Sequence, residues 1–197
     1  MTSVPETQLA ADVQIQICPS SMAADTTITD AIATMVNECY LAAEGDLWRP
    51  KDRLPRTDPA VVSSLIAAGD LVVAWSPSGA VAGCASLSPY GDGGLMVGML
   101  ATARRGGGLG GRIMAFCEDE AERRAGMPGA GSCCAVEFWR PRGPVPHAGK
   151  ERLFGWYRRL GYQVVKTEDL ADSRYADFVR RLVVEIDSII LEKKLSQ

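Results

Sequence analysis

Val13, Ile15 and Ile17 alternate with Gln14 and Gln16, which predicts a first strand with one buried face, ended by Pro19. The period then changes. Ile32, Met35, Val36, Cys39, Tyr40 and Ala43 recur at helical spacing and predict an amphipathic helix over 29–44, closed by Gly45. A Pro- and Arg-rich loop over 46–57 leads to Asp58-Pro59, an N-cap followed by a proline at the first helical position. Val61, Val62, Leu65 and Ile66 give the short helix after it an apolar face, and Gly69 stops it. Segments 71–75 and 80–87, joined by a turn over 76–79, read as a hairpin. Asp92-Gly93-Gly94 turns the chain again into 95–100, whose nearly unbroken apolar run predicts a central strand buried on both faces.

Leu109, Ile113, Phe116, Cys117 and Ala121 then form a helical stripe down to Arg124. A strand over 132–139, a Pro- and Gly-rich loop over 140–150, a helix over 151–160 capped by Gly161 and a strand over 162–166 follow. A polar helix over 170–181 and a last strand within 183–191 complete the order. Hairpins followed by strand–helix–strand units imply an α/β protein of the α+β type, one mixed sheet covered by helices.

Length and composition narrow this picture. A chain of 197 residues, 47% of them hydrophobic, suits a single domain over 13–197 behind a loose polar tail over 1–12. The tail lacks a basic start followed by an apolar core, and no apolar run is long enough to cross a bilayer, so the expectation is a cytoplasmic protein with no membrane partner. A formal net charge of -3 argues against a general affinity for nucleic acid. Cys18, Cys39, Cys84, Cys117, Cys133 and Cys134 show no Cys-x-x-Cys spacing and sit mostly in apolar runs, as reduced core thiols do. With His147 as the sole histidine, no metal site is expected.

The candidate chemistry centres on Arg104-Arg105-Gly106-Gly107-Gly108-Leu109-Gly110-Gly111, between a buried strand and an amphipathic helix. Glycines let a ligand approach the main chain, and the head of the following helix offers unpaired N–H groups to a phosphate. Arg104, Arg105 and Arg112 add charge. A dinucleotide fingerprint would come early in a parallel sheet, whereas this turn follows several strands, half of them in hairpins. The Gly-Lys-Ser/Thr of a nucleotide-binding P-loop is absent.

The stretch 99–110 resembles motif A of the GNAT superfamily of acyl-CoA N-acyltransferases, which reads R/Q-x-x-G-x-G/A; Arg105, Gly108 and Gly110 fill its defining positions. Thr102 stands where that motif usually carries proline. Residues 153–162, with Trp156-Tyr157 ahead of Leu160-Gly161-Tyr162, resemble motif B. The resemblance covers most of 13–192 and implies a GNAT-like fold, a mixed, mostly antiparallel sheet in which two parallel strands splay apart around a pantetheine arm.

It further implies acetyl-CoA or another acyl-CoA as co-substrate. The main chain of Met99, Leu100 and Ala101 would pair with pantetheine, one N–H facing the thioester oxygen where negative charge develops. The N–H groups of Arg105, Gly106, Gly107, Gly108, Leu109, Gly110 and Gly111 would take the pyrophosphate. Tyr157 sits where many relatives place a general acid for the leaving thiolate, against the alternative of a packing role. Two residues are open as general base: Glu137, on a strand whose cleft-facing side the pattern does not fix, and His147, in the loop before motif B.

In relatives the loop 46–56 walls the acceptor site. Here it carries Arg49, Lys51, Arg53 and Arg56, and Arg140 and Arg142 stand in a second loop. Read as a solvated surface this charge means nothing; read as a wall it suits an acidic small molecule. Trp48, Tyr90, Trp139 and Trp156 are the aromatic and hydroxyl candidates around it. Three functions stay open: N-acetyltransfer to a small molecule, decarboxylation of a polyketide or other acyl acid in a biosynthetic pathway, and coenzyme A binding without catalysis. The family's final strands often pair between copies, which leaves a homodimer open.

Overall fold

The computed structural model describes residues 12–126 and 132–195, so the expected tail over 1–12 lies almost wholly outside the described residues. The strands are β1 Gln14–Ile17, β2 Leu71–Trp75, β3 Val81–Tyr90, β4 Gly94–Thr102, β5 Cys133–Pro141, β6 Gln163–Asp169 and β7 Ile186–Lys194. The helices are α1 Thr26–Glu44, α2 Pro59–Ala68, α3 Leu109–Ala125 and α4 Ala148–Arg159. One seven-stranded sheet runs in the order β1-β2-β3-β4-β5-β7-β6. Its neighbours are antiparallel except β4 and β5. The parallel pair is joined through α3, as a crossover requires.

Alternation sorts the core into two layers. Val72, Ala74, Ala85 and Leu87 turn to one face and pack with Ile113, Met114, Cys117 and Ala121 of α3 and Tyr157 of α4. Leu71, Val73 and Cys84 turn to the other and pack with Ile32, Val36, Val62 and Ile66 of α1 and α2. Burial of these side chains is what closes both faces of the sheet.

β4 breaks the alternation beyond Val97. Leu95 and Val97 belong to the α3 face, whereas Met99 and Ala101, of the same parity, belong to the α1 face. Between them the register with β3 shifts, and Met99 takes a positive φ of 48°. An inserted residue of this kind bulges a strand and re-aims everything after it. A non-glycine residue in this region is strained, and packing on both sides has to hold it.

Several expected boundaries move. α1 starts at Thr26 because the Asp25 carboxylate accepts from Thr27 N and Ile28 N. Gly45 does not stop it in a left-handed turn; its φ is −60°, and the chain continues into a 3-10 turn over Gly45–Leu47. The expected polar helix over 170–181 is instead two 3-10 turns, Leu170–Asp172 and Ala176–Arg181. Ser173 breaks it: its hydroxyl donates to Leu170 O and accepts from Tyr175 N, a local alternative to helix bonds.

One ion cluster ties α3 to the α2–β2 turn. Glu120, 5% exposed, accepts from Arg123 and Arg124, and Arg124 also donates to Asp70 and to Gly69 O. The bond from Arg123 and then that from Arg124 hold the Glu120 carboxyl below its ordinary value, against burial. Its stabilising effect is therefore complete above the ordinary carboxylate pKa and is lost as pH falls through the lower folded-state value. Glu120→Gln is expected to cost roughly 1–3 kcal/mol by urea melting at neutral pH. The difference from the parent should shrink on acidification.

Candidate active site

Beyond Thr102 the chain bends through residues 103–108 and enters α3. Gly106 and Gly108 adopt φ of +93° and +75°, and a Cβ built on either meets nothing within 4 Å. The backbone conformation, not lack of room, demands glycine here. Gly108 is the N-cap and offers no side chain to the helix head. Gly111 N and Arg112 N turn back to Gly108 O. The N–H groups of residues 105–110 find no acceptor among the described residues. They form a solvent-facing row of donors at the positive end of a helix of 17 residues. Arg104 and Arg105 are exposed and make no ion pair among the described residues. Arg112 instead donates to Val13 O at 2.8 Å, bracing β1.

This donor row stands at the end of a gap. β4 and β5 pair only from Leu95↔Cys134 to Val97↔Val136. Past that point β4 bulges at Met99, and β5 runs on to Pro141 paired with β7 alone. Met99, Leu100 and Ala101 thus lie on the stretch of β4 that β5 has left.

The far rim of the gap is bridged from α1 to α4. The buried Lys150 ammonium donates to Glu44 Oε1 and lies 5.3 Å from the centre of the Phe138 ring on β5. No described residue donates to Glu44 Oε2. One turn before Glu44, the Arg56 guanidinium covers the Tyr40 ring at 5.1 Å. Tyr157 comes from α4, 8% exposed, with its ring 4.9 Å from Trp156 and 5.9 Å from Tyr162. Burial, and then the neighbouring Tyr40 and Cys134, push the Tyr157 phenol far above its ordinary pKa. It is a neutral hydroxyl at any physiological pH, able to donate a proton.

The expected bases are placed differently from one another. Glu137 lies on the β5 face opposite Val136 and Phe138, and both its oxygens are engaged: Ser188 Oγ donates to Oε1 at 2.7 Å and Arg174 to Oε2 at 2.5 Å. His147 is the N-cap of α4. Its Nδ1 accepts from Lys150 N at 3.2 Å, so Nε2 carries the proton toward Asp46 at 3.0 Å. Both ring nitrogens are thus engaged, which weighs against the expected role of His147 as a base.

The acceptor-wall candidates also divide. Trp48 and Trp139 meet at 6.2 Å, joined by Tyr175 and Phe178. Arg49 is a strut, donating from Nε to Leu182 O, next to the Trp48↔Leu182 bridge. Arg140 is held by both oxygens of Glu151 at 2.9 Å and Arg142 by Asp169, so neither is a free cation. Arg53 is exposed beside Leu41, Asp46 and His147 in an open cleft. Tyr90 pairs with Gly94 at the start of β4, the opposite end of the sheet from the gap, and leaves the candidate set. Tyr40, Glu44, Lys150 and Tyr175 were missed, and Arg56 was read only as one of the loop's four cations. Tyr40 fitted a core stripe and Lys150 a loop, and only the fold brings them together.

Among the described residues no group of three His, Cys, Asp or Glu could hold a metal ion, and no helix is long and apolar enough to cross a membrane. All six cysteines are free thiols, and burial pushes Cys84 up to about 12.

No protein-family model matches the sequence, and no curated protein does. Solved structures do resemble it. N-acetylglutamate synthase from Neisseria gonorrhoeae, complexed with coenzyme A and N-acetyl-glutamate, superposes with a TM-score of 0.58 at 20% identity, over 94% of this chain and 35% of that one. This chain thus spans about a third of the synthase. The polyamine N-acetyltransferase of Drosophila melanogaster gives 0.61 at 14% identity, over 93% of this chain and 100% of that one. A GNAT phosphinothricin acetyltransferase from Sinorhizobium meliloti, in complex with AcCoA, gives 0.57 at 13% identity, over 94% and 89%. The chain has the GNAT acyl-CoA N-acyltransferase fold.

Proposed function

We propose that this protein is an acyl-CoA-dependent N-acyltransferase, with acetyl-CoA as the first donor to test and a small-molecule amine as acceptor. The observation that carries the reading is the row of unsatisfied N–H groups over 105–110, set at the head of α3 where β4 and β5 part. A diphosphate supplies the acceptors those groups lack. The stretch of β4 from Met99 to Ala101 is free on its β5 side to pair with a pantetheine amide. Solved neighbours of the same fold carry coenzyme A or AcCoA.

Bound acyl-CoA supplies an activated acyl carbon. The chain's own groups position and protonate. Tyr157 keeps its proton and holds it for the departing sulfur; the proton lost by the amine restores the phenol. Glu44, with one oxygen fixed by Lys150 and the other open, is the carboxylate best placed to hold the amine. Glu137 and Arg174 shape the acceptor side with Trp139 and Tyr175.

What favours transfer over decarboxylation is the fate of the basic wall: three of its six cations, Arg49, Arg140 and Arg142, are bound to the protein, which thins the cation cluster a carboxylate-releasing pocket would use. The test is release of free thiol from acetyl-CoA across a panel of small amines, with the acylated amine identified by its mass. Transfer requires both products in equal amounts. Release of CO₂ from an acyl acid without coenzyme A would establish the decarboxylase instead, and coenzyme A binding without either reaction would establish a binding module.

A further inference from the structure

We infer that the acceptor is an amine that also carries a carboxylate, with Glu44 at its ammonium end and Arg56 at its carboxylate end. This deepens the transferase reading and depends on it.

The inference starts from Arg56. Like Arg53 beside Gly45, it makes no ion pair among the described residues, in contrast to Lys150 on Glu44 and Arg174 on Glu137. Its guanidinium is held, all the same, by the face of Tyr40 at 5.1 Å. An aromatic platform fixes the plane of a guanidinium and leaves its N–H edge open, the geometry that grips a carboxylate through two parallel bonds. The four cations Lys150, Arg174, Arg56 and Arg53 face three carboxylates, Glu44, Glu137 and Asp46, so the rim has one positive charge left over.

Glu44 supplies the other end. Tyr40 and Glu44 stand one helical turn apart on the same face of α1, so Arg56 above Tyr40 and the open Oε2 of Glu44 are neighbours without touching. The space between opposite charges suits a ligand with both. Lys150 holds Glu44 in place through Oε1. The excess positive charge nearby lowers the proton affinity of a bound amine, and acylation needs that amine neutral. Trp139, Tyr175 and Phe178 present ring faces for the body of the molecule.

The experiment is calorimetric titration of the protein saturated with coenzyme A, so that no turnover intervenes. Phenylalanine, methionine and glutamate are each compared with the amine lacking the α-carboxylate and with the 2-hydroxy acid lacking the amine. At least one amino acid is expected to bind about 10–100-fold tighter than both its analogues. Arg56→Gln should abolish the preference over the plain amine and keep the preference over the hydroxy acid, and Arg56→Lys should restore part of it. Equal binding of amino acid and plain amine, an equal loss for all three ligands in Arg56→Gln, or no acceptor binding at all to a protein that does bind coenzyme A would overturn the inference and leave the transferase reading standing. Failure to bind coenzyme A would sink both.

Discussion

Gly108→Asp is expected to raise the dissociation constant for acetyl-CoA by about 100-fold or more, while the protein stays folded. The residue sits at the N-cap of α3 with φ +75° and open space where a Cβ would go. Asp tolerates the left-handed region better than most residues, so the conformational cost is about 1–2 kcal/mol. The carboxylate, however, stands where the diphosphate must lie. It repels the ligand and competes for the N–H groups of the first turn. Gly93→Asp is the matched control, because Gly93 has φ +93°, equally open surroundings and a place in the β3–β4 turn, at the end of β4 opposite α3. Calorimetry should show near-parental affinity for the control and almost none for Gly108→Asp. Equal affinities would mean that the helix head does not hold the diphosphate.

Tyr157→Phe carries the second largest effect. Loss of the hydroxyl is expected to lower kcat by about 100-fold or more with acetyl-CoA affinity unchanged, the range of a positioned general acid. The ring packing with Trp156 and Tyr162 survives the change, so thermal stability should move little. Because burial raises the phenol above its ordinary pKa, the parent should show no alkaline loss of rate from this group through the neutral and mildly basic range. Parental kcat in Tyr157→Phe would reduce Tyr157 to a packing residue.

Much of the fold is legible in the sequence, for local reasons. Glycine at 106 and 108 marks backbone that other residues resist, and the apolar run of β4 marks the sheet centre. The misses have physical causes too. Nothing in the apolar pattern of β4 distinguishes Met99, because a bulge is set by the neighbouring strand's register and not by side-chain character. His147 read as chemistry because it is a lone histidine, yet it caps a helix that begins three residues earlier than its apolar stripe. The span 170–181 has the composition of a helix, but Leu170 and Tyr175 pack onto Leu47, Trp48 and Trp139, and two tight turns place them there.

Of the candidate site, only the glycine half stands out in the sequence. Arg105, Gly108 and Gly110 form a contiguous motif, whereas Glu44 and Lys150 are 106 residues apart and Glu137 and Arg174 are 37 apart. Such pairs exist only once the sheet order puts α1 and α4 on the two sides of the gap. The basic wall was misleading as a composition argument for the same reason: Arg140 and Arg142 meet Glu151 and Asp169 in the fold, and of the loop cations without an ion pair among the described residues Arg56 is the one stacked on a ring.

The central claim is that the main chain of β4 past its bulge and of the α3 head grips an acyl-CoA. Amide hydrogen exchange with and without saturating coenzyme A reads those N–H groups one segment at a time. Slowed exchange concentrated in residues 99–111 is the result expected. Binding accompanied by protection elsewhere and none in this segment would contradict it.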